Sequence, residues 1–181
     1  LPVHRLVRGL PENKLSQLKA KLESLFDVKT LRLPASTSRA QNISDALRRR
    51  RNIGMAMGVW GLEKDKLLIL RQRPGADYQA MMPSGHSYYY YRLEVSRLQH
   101  LVMDEMEAEN GQLEIAYTPD EAEVLTRISA GQYQLGFFVE ALESKDIKGI
   151  ALAGDKVPRK STYFYPKLPT GLVMRSLADG I

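Results

Sequence analysis

The chain has no cysteine, three histidines and a single tryptophan. Without cysteine there are no disulfides, no thiolate zinc sites and no thiol nucleophile. A three-histidine metal site would need His4, His86 and His100 to converge from distant segments, so no metal ligands are expected. No apolar run approaches the roughly 20 residues of a membrane-spanning helix, and the start lacks the basic-then-apolar plan of a signal peptide. A cytoplasmic chain with no membrane partner is the expectation. Neither GxxxxGK[ST] nor GxGxxG occurs, which leaves P-loop and Rossmann sites unsupported. No paired carboxylates with acid/base spacing, no internal repeat and no low-complexity linker stand out.

What is present suffices for one well-covered core: 181 residues, 44% of them apolar and 26% charged. The formal net charge of +5 conceals a segregated distribution. Residues 1–100 carry 18 Lys and Arg against 8 Asp and Glu, residues 101–155 carry 3 against 12, and residues 156–181 carry 5 against 1. An acidic block lies between two basic ones, so partners must be argued face by face. The first residue is Leu1, and a fragment of a longer protein is expected: a single C-terminal domain over 1–181, with a subdivision near 85–95.

Leu15, Leu18, Leu22, Leu25 and Phe26 recur at helical spacing, with Lys14, Lys19 and Lys21 turned outward. They predict an amphipathic helix between Pro11 and Asp27. Residues 28–33 read as a strand stopped by Pro34, residues 35–41 as a loop, and Ser44 as the cap of a short helix running into the arginines at 48–51. Residues 55–60 and 67–71 predict a β-hairpin, and 73–87, with Pro74, Gly75, Pro83 and Gly85, a loop. Ser96 stands three residues before Gln99 and ahead of Leu98, Leu101, Val102 and Met106, the pattern of a capping box. Thr118-Pro119-Asp120-Glu121 reads as a second helix start, with Gly131 as its stop. Further strands are predicted at 113–117, 134–142, 163–165 and 172–174, and a further helix at 144–153, ending at Gly154. Strands and helices intermix without a βαβ rhythm. The expected fold is α+β, a mixed, largely antiparallel sheet with packed helices.

Among chemistry-bearing segments, Lys160-Ser161-Thr162-Tyr163-Phe164-Tyr165-Pro166-Lys167 is the most suggestive. If extended, it presents Ser161, Tyr163, Tyr165 and Lys167 on one face and Thr162, Phe164 and Pro166 on the other. A stripe of hydroxyls ending in a cation suits a phosphate or carboxylate; a half-buried strand with packed tyrosine rings accounts for the same string. His4 and Arg5 offer a proton shuttle and an oxyanion grip, or a structural pair. The arginines at 48–51 step about 100° each around a helix, which fits a solvated helix end better than a nucleic-acid groove. Tyr88, Tyr89, Tyr90 and Tyr91 alternate if extended and read as packing residues. The acids at 104, 105, 107 and 109 fall late in their helix, where carboxylates oppose the dipole, and so suit a basic partner surface.

Leu1-Pro2-Val3-His4-Arg5-Leu6-Val7, the 160–168 string and Thr170-Gly171-Leu172-Val173 together resemble the C-terminal half of the family known as domain of unknown function 1015. The chain departs from that pattern at Val157-Pro158-Arg159, where members often show Met-Pro-Pro, and at Gln99, where many carry histidine. The resemblance implies a missing N-terminal half related to the ParB/sulfiredoxin-like group, which includes kinases of free serine. It implies that this chain docks on that half and lines a cleft for a small anionic ligand, with ATP or another nucleotide bound by the intact protein. The residues implied are His4, Arg5, Lys160, Ser161, Thr162, Tyr163, Tyr165 and Lys167, with Arg5 and the lysines as charge clamps, the hydroxyls orienting the ligand and His4 a candidate acid or base. The alternative is a non-catalytic binding, regulatory or dimerisation module.

Overall fold

The structure, a computed structural model, describes residues 1–51, 54–109 and 113–166. The predicted strand at 172–174, the turn before it and Lys167 lie outside these residues. Among the described residues, six strands build one sheet: β1 (His4–Arg8), β2 (Asp27–Arg32), β3 (Ala56–Trp60), β4 (Lys66–Arg71), β5 (Glu114–Thr118) and β6 (Leu135–Phe138). Their spatial order is β2-β4-β3-β6-β1-β5, and every pairing is antiparallel. The fold is α+β.

The helices are α1 (Glu12–Leu25), α2 (Arg39–Arg51), α3 (Tyr88–Arg92), α4 (Glu94–Leu98), α5 (Asp104–Glu109), α6 (Glu121–Ser129) and α7 (Ser144–Leu152), with a π-helical turn at Gln99–Met103 joining α4 to α5. They cover both faces of the sheet, which is why β3 and β4 are apolar at consecutive positions rather than alternate ones. Val7, Val59, Leu68, Leu70 and Phe137 point to one face and pack against Leu18 and Leu22 of α1, Tyr90, Val95, Leu98 and Ile150. Leu6, Trp60, Leu67, Ile69 and Phe138 point to the other and meet Ile43 and Leu47 of α2 and Val124 of α6. Gly136 of β6 lets α6 lie close, since a Cβ there would run into the Val124 and Ile128 side chains.

Local signals set several of these elements where the spacing predicted them, and others shifted. Ser44 is no cap: α2 begins at Arg39, and the Ser44 hydroxyl, mid-helix, donates to Glu121 Oε1 at 2.8 Å. Ser96 is fully buried inside α4, because the Arg97 N–H already bonds the Leu93 carbonyl at 3.2 Å and the helix has started. The working cap upstream is Ser87, whose hydroxyl accepts the Tyr90 N–H, so Tyr88 to Tyr91 are helical and not extended. Packing still divides them: Tyr90 and Tyr91 are buried, Tyr88 and Tyr89 exposed. At the later start, Asp120 rather than Thr118 caps α6, accepting the Ala122 N–H at 2.8 Å. The strand expected over 134–142 ends at Phe138. Residues 163–165 form no strand: Lys160 turns the chain at φ 55°, and none of the six strands pairs with residues 161–166.

Candidate functional site

The two strings singled out from the sequence meet. The Leu1 nitrogen donates to the Tyr163 carbonyl at 2.9 Å, which lays the 160–166 segment across the end of β1 and β5. Between them opens a cleft of about 590 Å³, lined by Val3, by Tyr117, Thr118 and Pro119 at the end of β5, and by Lys160, Thr162, Tyr163, Phe164 and Pro166. Its rim is aromatic: Tyr117, Tyr163 and Phe164 all stand substantially in solvent.

Arg5 lies under this cleft instead of lining it. Strand register pairs it with Tyr117 on β5 and Phe137 on β6, so the three share a face, and its guanidinium sits 5.8 Å from the Tyr117 ring centroid. The residue is only 1% exposed. Nη1 donates to the Val3 carbonyl at 2.6 Å, while Nη2 has no partner and no carboxylate pairs with the group among the described residues. Burial pushes its pKa down to about 10, only partly offset by Tyr117, so it stays a cation at neutral pH. An unpaired buried cation is costly.

Ser161 is the counterpart from the other string: it is 4% exposed and its hydroxyl has no partner among the described residues. It points inward between Lys160 and Thr162, both of which line the cleft. Tyr165 is 79% exposed and stands outside the lining, so the stripe of alternating hydroxyls predicted for an extended segment does not form. Phe164, placed by an extended segment on the face opposite the hydroxyls, is exposed at the rim for the same reason.

His4 sits on the opposite face of the sheet from Arg5, against Phe138. Its Nδ1 accepts the Val139 N–H at 3.3 Å, which leaves the ring proton on Nε2, 3.5 Å from Glu121 Oε1. That distance is an electrostatic contact rather than a full hydrogen bond. With His4 beside it, and against the cost of its partial burial, Glu121 is held down at about 2, helped by a backbone amide and Ser44. His4 is 2% exposed and has no opening to the cleft. It ties β1 to α6. The residues missed from the sequence, Val3, Tyr117, Thr118 and Pro119, become neighbours of the 160–166 segment only through the β1–β5 pairing, which no local pattern announces.

No metal cluster occurs among the described residues, and no helix there is long and apolar enough to cross a membrane. No family model and no curated protein matches the sequence. Among solved structures, the chain is similar to a conserved hypothetical protein from Pyrococcus furiosus, with 14% identity, a TM-score of 0.50, and 93% of this chain and 57% of that one covered. It is also similar to a free serine kinase in complex with AMP, with 15% identity, a TM-score of 0.49, and 90% and 52% covered. The chain thus spans about half the length of these structures. The likeness to the Pyrococcus protein is one of fold.

Proposed function

We propose that the cleft between β1, β5 and the 160–166 segment binds a small anionic ligand, phosphorylated or carboxylate-bearing. The observation that carries this reading is Arg5: a cation 1% exposed, one nitrogen unsatisfied, beneath an open cleft. A ligand oxyanion reaching past Tyr117 would supply the missing charge partner, and a guanidinium fork favours planar or tetrahedral oxyanions over other acceptors. Lys160 adds a second cation at the rim, and the Ser161 hydroxyl a donor seeking an acceptor. Tyr117, Tyr163 and Phe164 give the ligand's body an apolar wall.

The sequence resemblance supplies the finer reading. On it, the chain is the C-terminal half of a cytoplasmic member of the domain of unknown function 1015 family, docked on an N-terminal half that carries the main catalytic motif. The ligand would then be ATP or another nucleotide, in a kinase of a small metabolite resembling those of free serine. His4, sealed behind the sheet, orients Glu121 and α6 in this account and moves no proton on the ligand.

A thermal-shift panel of ADP, inorganic pyrophosphate and citrate on the wild-type chain tests the reading. A ligand that binds only the native state raises the melting temperature, by an amount set by about RT ln(1 + [L]/Kd). At least one of these probes should do so, and Lys160→Ala should shrink the shift without lowering the unliganded melting point, since Lys160 is exposed. No shift with any of the three contradicts the proposal.

A further inference from the structure

The segment that carries Lys160, Thr162 and Tyr163 leaves α7 at Gly154, whose φ of 68° ends the helix, and its first fixed point is Asp155. Asp155 Oδ1 lies 3.0 Å from His86 Nδ1, and its Oδ2 accepts the Ser87 N–H at 2.7 Å. The Lys156 N–H closes on Oδ1 at 2.7 Å. Against the cost of partial burial, these donors hold the Asp155 carboxyl at about 2, so it is a carboxylate and His86 Nδ1 carries the proton between them. His86 itself is held flat on Tyr90, with ring centroids 3.7 Å apart and planes 8° from parallel. The Tyr90 hydroxyl meets His100 Nε2 at 2.8 Å, and His100 Nδ1 meets Asp104 Oδ2 at 2.6 Å. Asp155, His86, Tyr90, His100 and Asp104 therefore form one continuous array, running from α5 through α3 to the start of the cleft segment. None of the five lines the cleft.

We propose that His86 is a positioning residue for the cleft: by holding Asp155 it fixes the entry of the 156–163 segment and so sets where Lys160, Thr162 and Tyr163 stand. The far end of that segment is fixed by the Leu1–Tyr163 hydrogen bond, and its middle by Val157 against the core and the buried Ser161. Between these anchors Lys160 keeps a left-handed conformation that a non-glycine residue adopts only when its surroundings demand it. Releasing the His86 anchor lets that strain relax and moves the cleft wall. The inference rests on the ligand reading above for its purpose, but its mechanical part stands or falls separately.

Two variants of the full chain separate the outcomes. His86→Phe keeps a flat ring for Tyr90 and has no donor for Asp155; His86→Asn loses the ring and puts an amide N–H where Nδ1 stands. Exchange of the Ser87 and Lys156 amides, both held by the Asp155 carboxylate, should quicken about tenfold or more in His86→Phe, the loss of a hydrogen bond to a charged group, with β3, β4 and β6 unchanged. His86→Asn should return it to near the wild-type rate, and the affinity for ADP should follow the same order. Unchanged exchange in His86→Phe, or no rescue by His86→Asn, overturns the proposal. Should wild-type chain bind no ADP, the ligand reading falls for that probe, and the exchange rates alone decide whether His86 holds the segment.

Discussion

Glu121 and His4 meet across the face of the sheet that α6 covers, and their contact has a pH signature. The folded Glu121 value, about 2, lies below the ordinary 4.5. A carboxyl with a depressed folded pKa contributes stability that is fully present above the unfolded value and is lost as pH falls through the folded one. Between pH 6 and pH 3 the wild-type chain should therefore lose about 1–2 kcal/mol more than Glu121→Gln does, after discounting for the partial exposure of the group. Urea unfolding of both proteins at the two pH values measures this, and parallel losses would show that His4 and Ser44 do not hold the carboxylate. The residue types at 4 and 5 were legible as a histidine and an arginine with chemical potential. Their division was not. Adjacent residues of a strand point to opposite faces, so one sits under the cleft and the other cannot reach it, and only the pairing of β1 with β5 and β6 says which is which.

At the scale of elements, α6 carries Glu121, and its seat on β6 depends on Gly136. An added methyl there would enter the space of Val124 and Ile128, the latter at 2.9 Å. Gly136→Ala should cost about 1–3 kcal/mol of unfolding free energy, the usual range for overpacking. Because the clash is partly with Val124, the double change Gly136→Ala with Val124→Ala should cost less than the sum of the two single changes. Additive losses in urea unfolding would mean that α6 moves aside freely. Helix α1 was legible because burial on one side leaves a helical repeat in the sequence, and the β3–β4 hairpin because two short apolar runs flank the charged residues at 63–66. The starts of α4 and α6 were displaced because Ser96 and Thr118 have the chemistry of a cap while Leu93 and Asp120 occupy the place of one. The tyrosines at 88–91 have strand-like composition, and the Ser87 cap together with burial of Tyr90 and Tyr91 overrides it.

Across the whole molecule, the segregated charge becomes a pattern of contacts. Acids from the block at 101–155 reach back to cations of the first hundred residues: Glu105 to Lys21, and Glu114 to Arg8 at 2.5 Å. These two pairs are largely exposed and contribute little stability, and they neutralise two of the 18 Lys and Arg in the first hundred residues. Near the end of α2, Arg48 and Arg49 are exposed. Arg5 is a cation that the fold buries with one guanidinium nitrogen unsatisfied and no carboxylate partner among the described residues. On the ligand reading, this arrangement costs stability and is kept for an anion. The direct measurement is the melting of wild type and Arg5→Met, each with and without ADP or pyrophosphate. Arg5→Met should be more stable than wild type without ligand by about 1–3 kcal/mol, as when a buried charge gives way to an apolar side chain of similar length, and should show no ligand-induced shift. An Arg5→Met chain that is destabilised and still stabilised by the anion as wild type is would contradict the account.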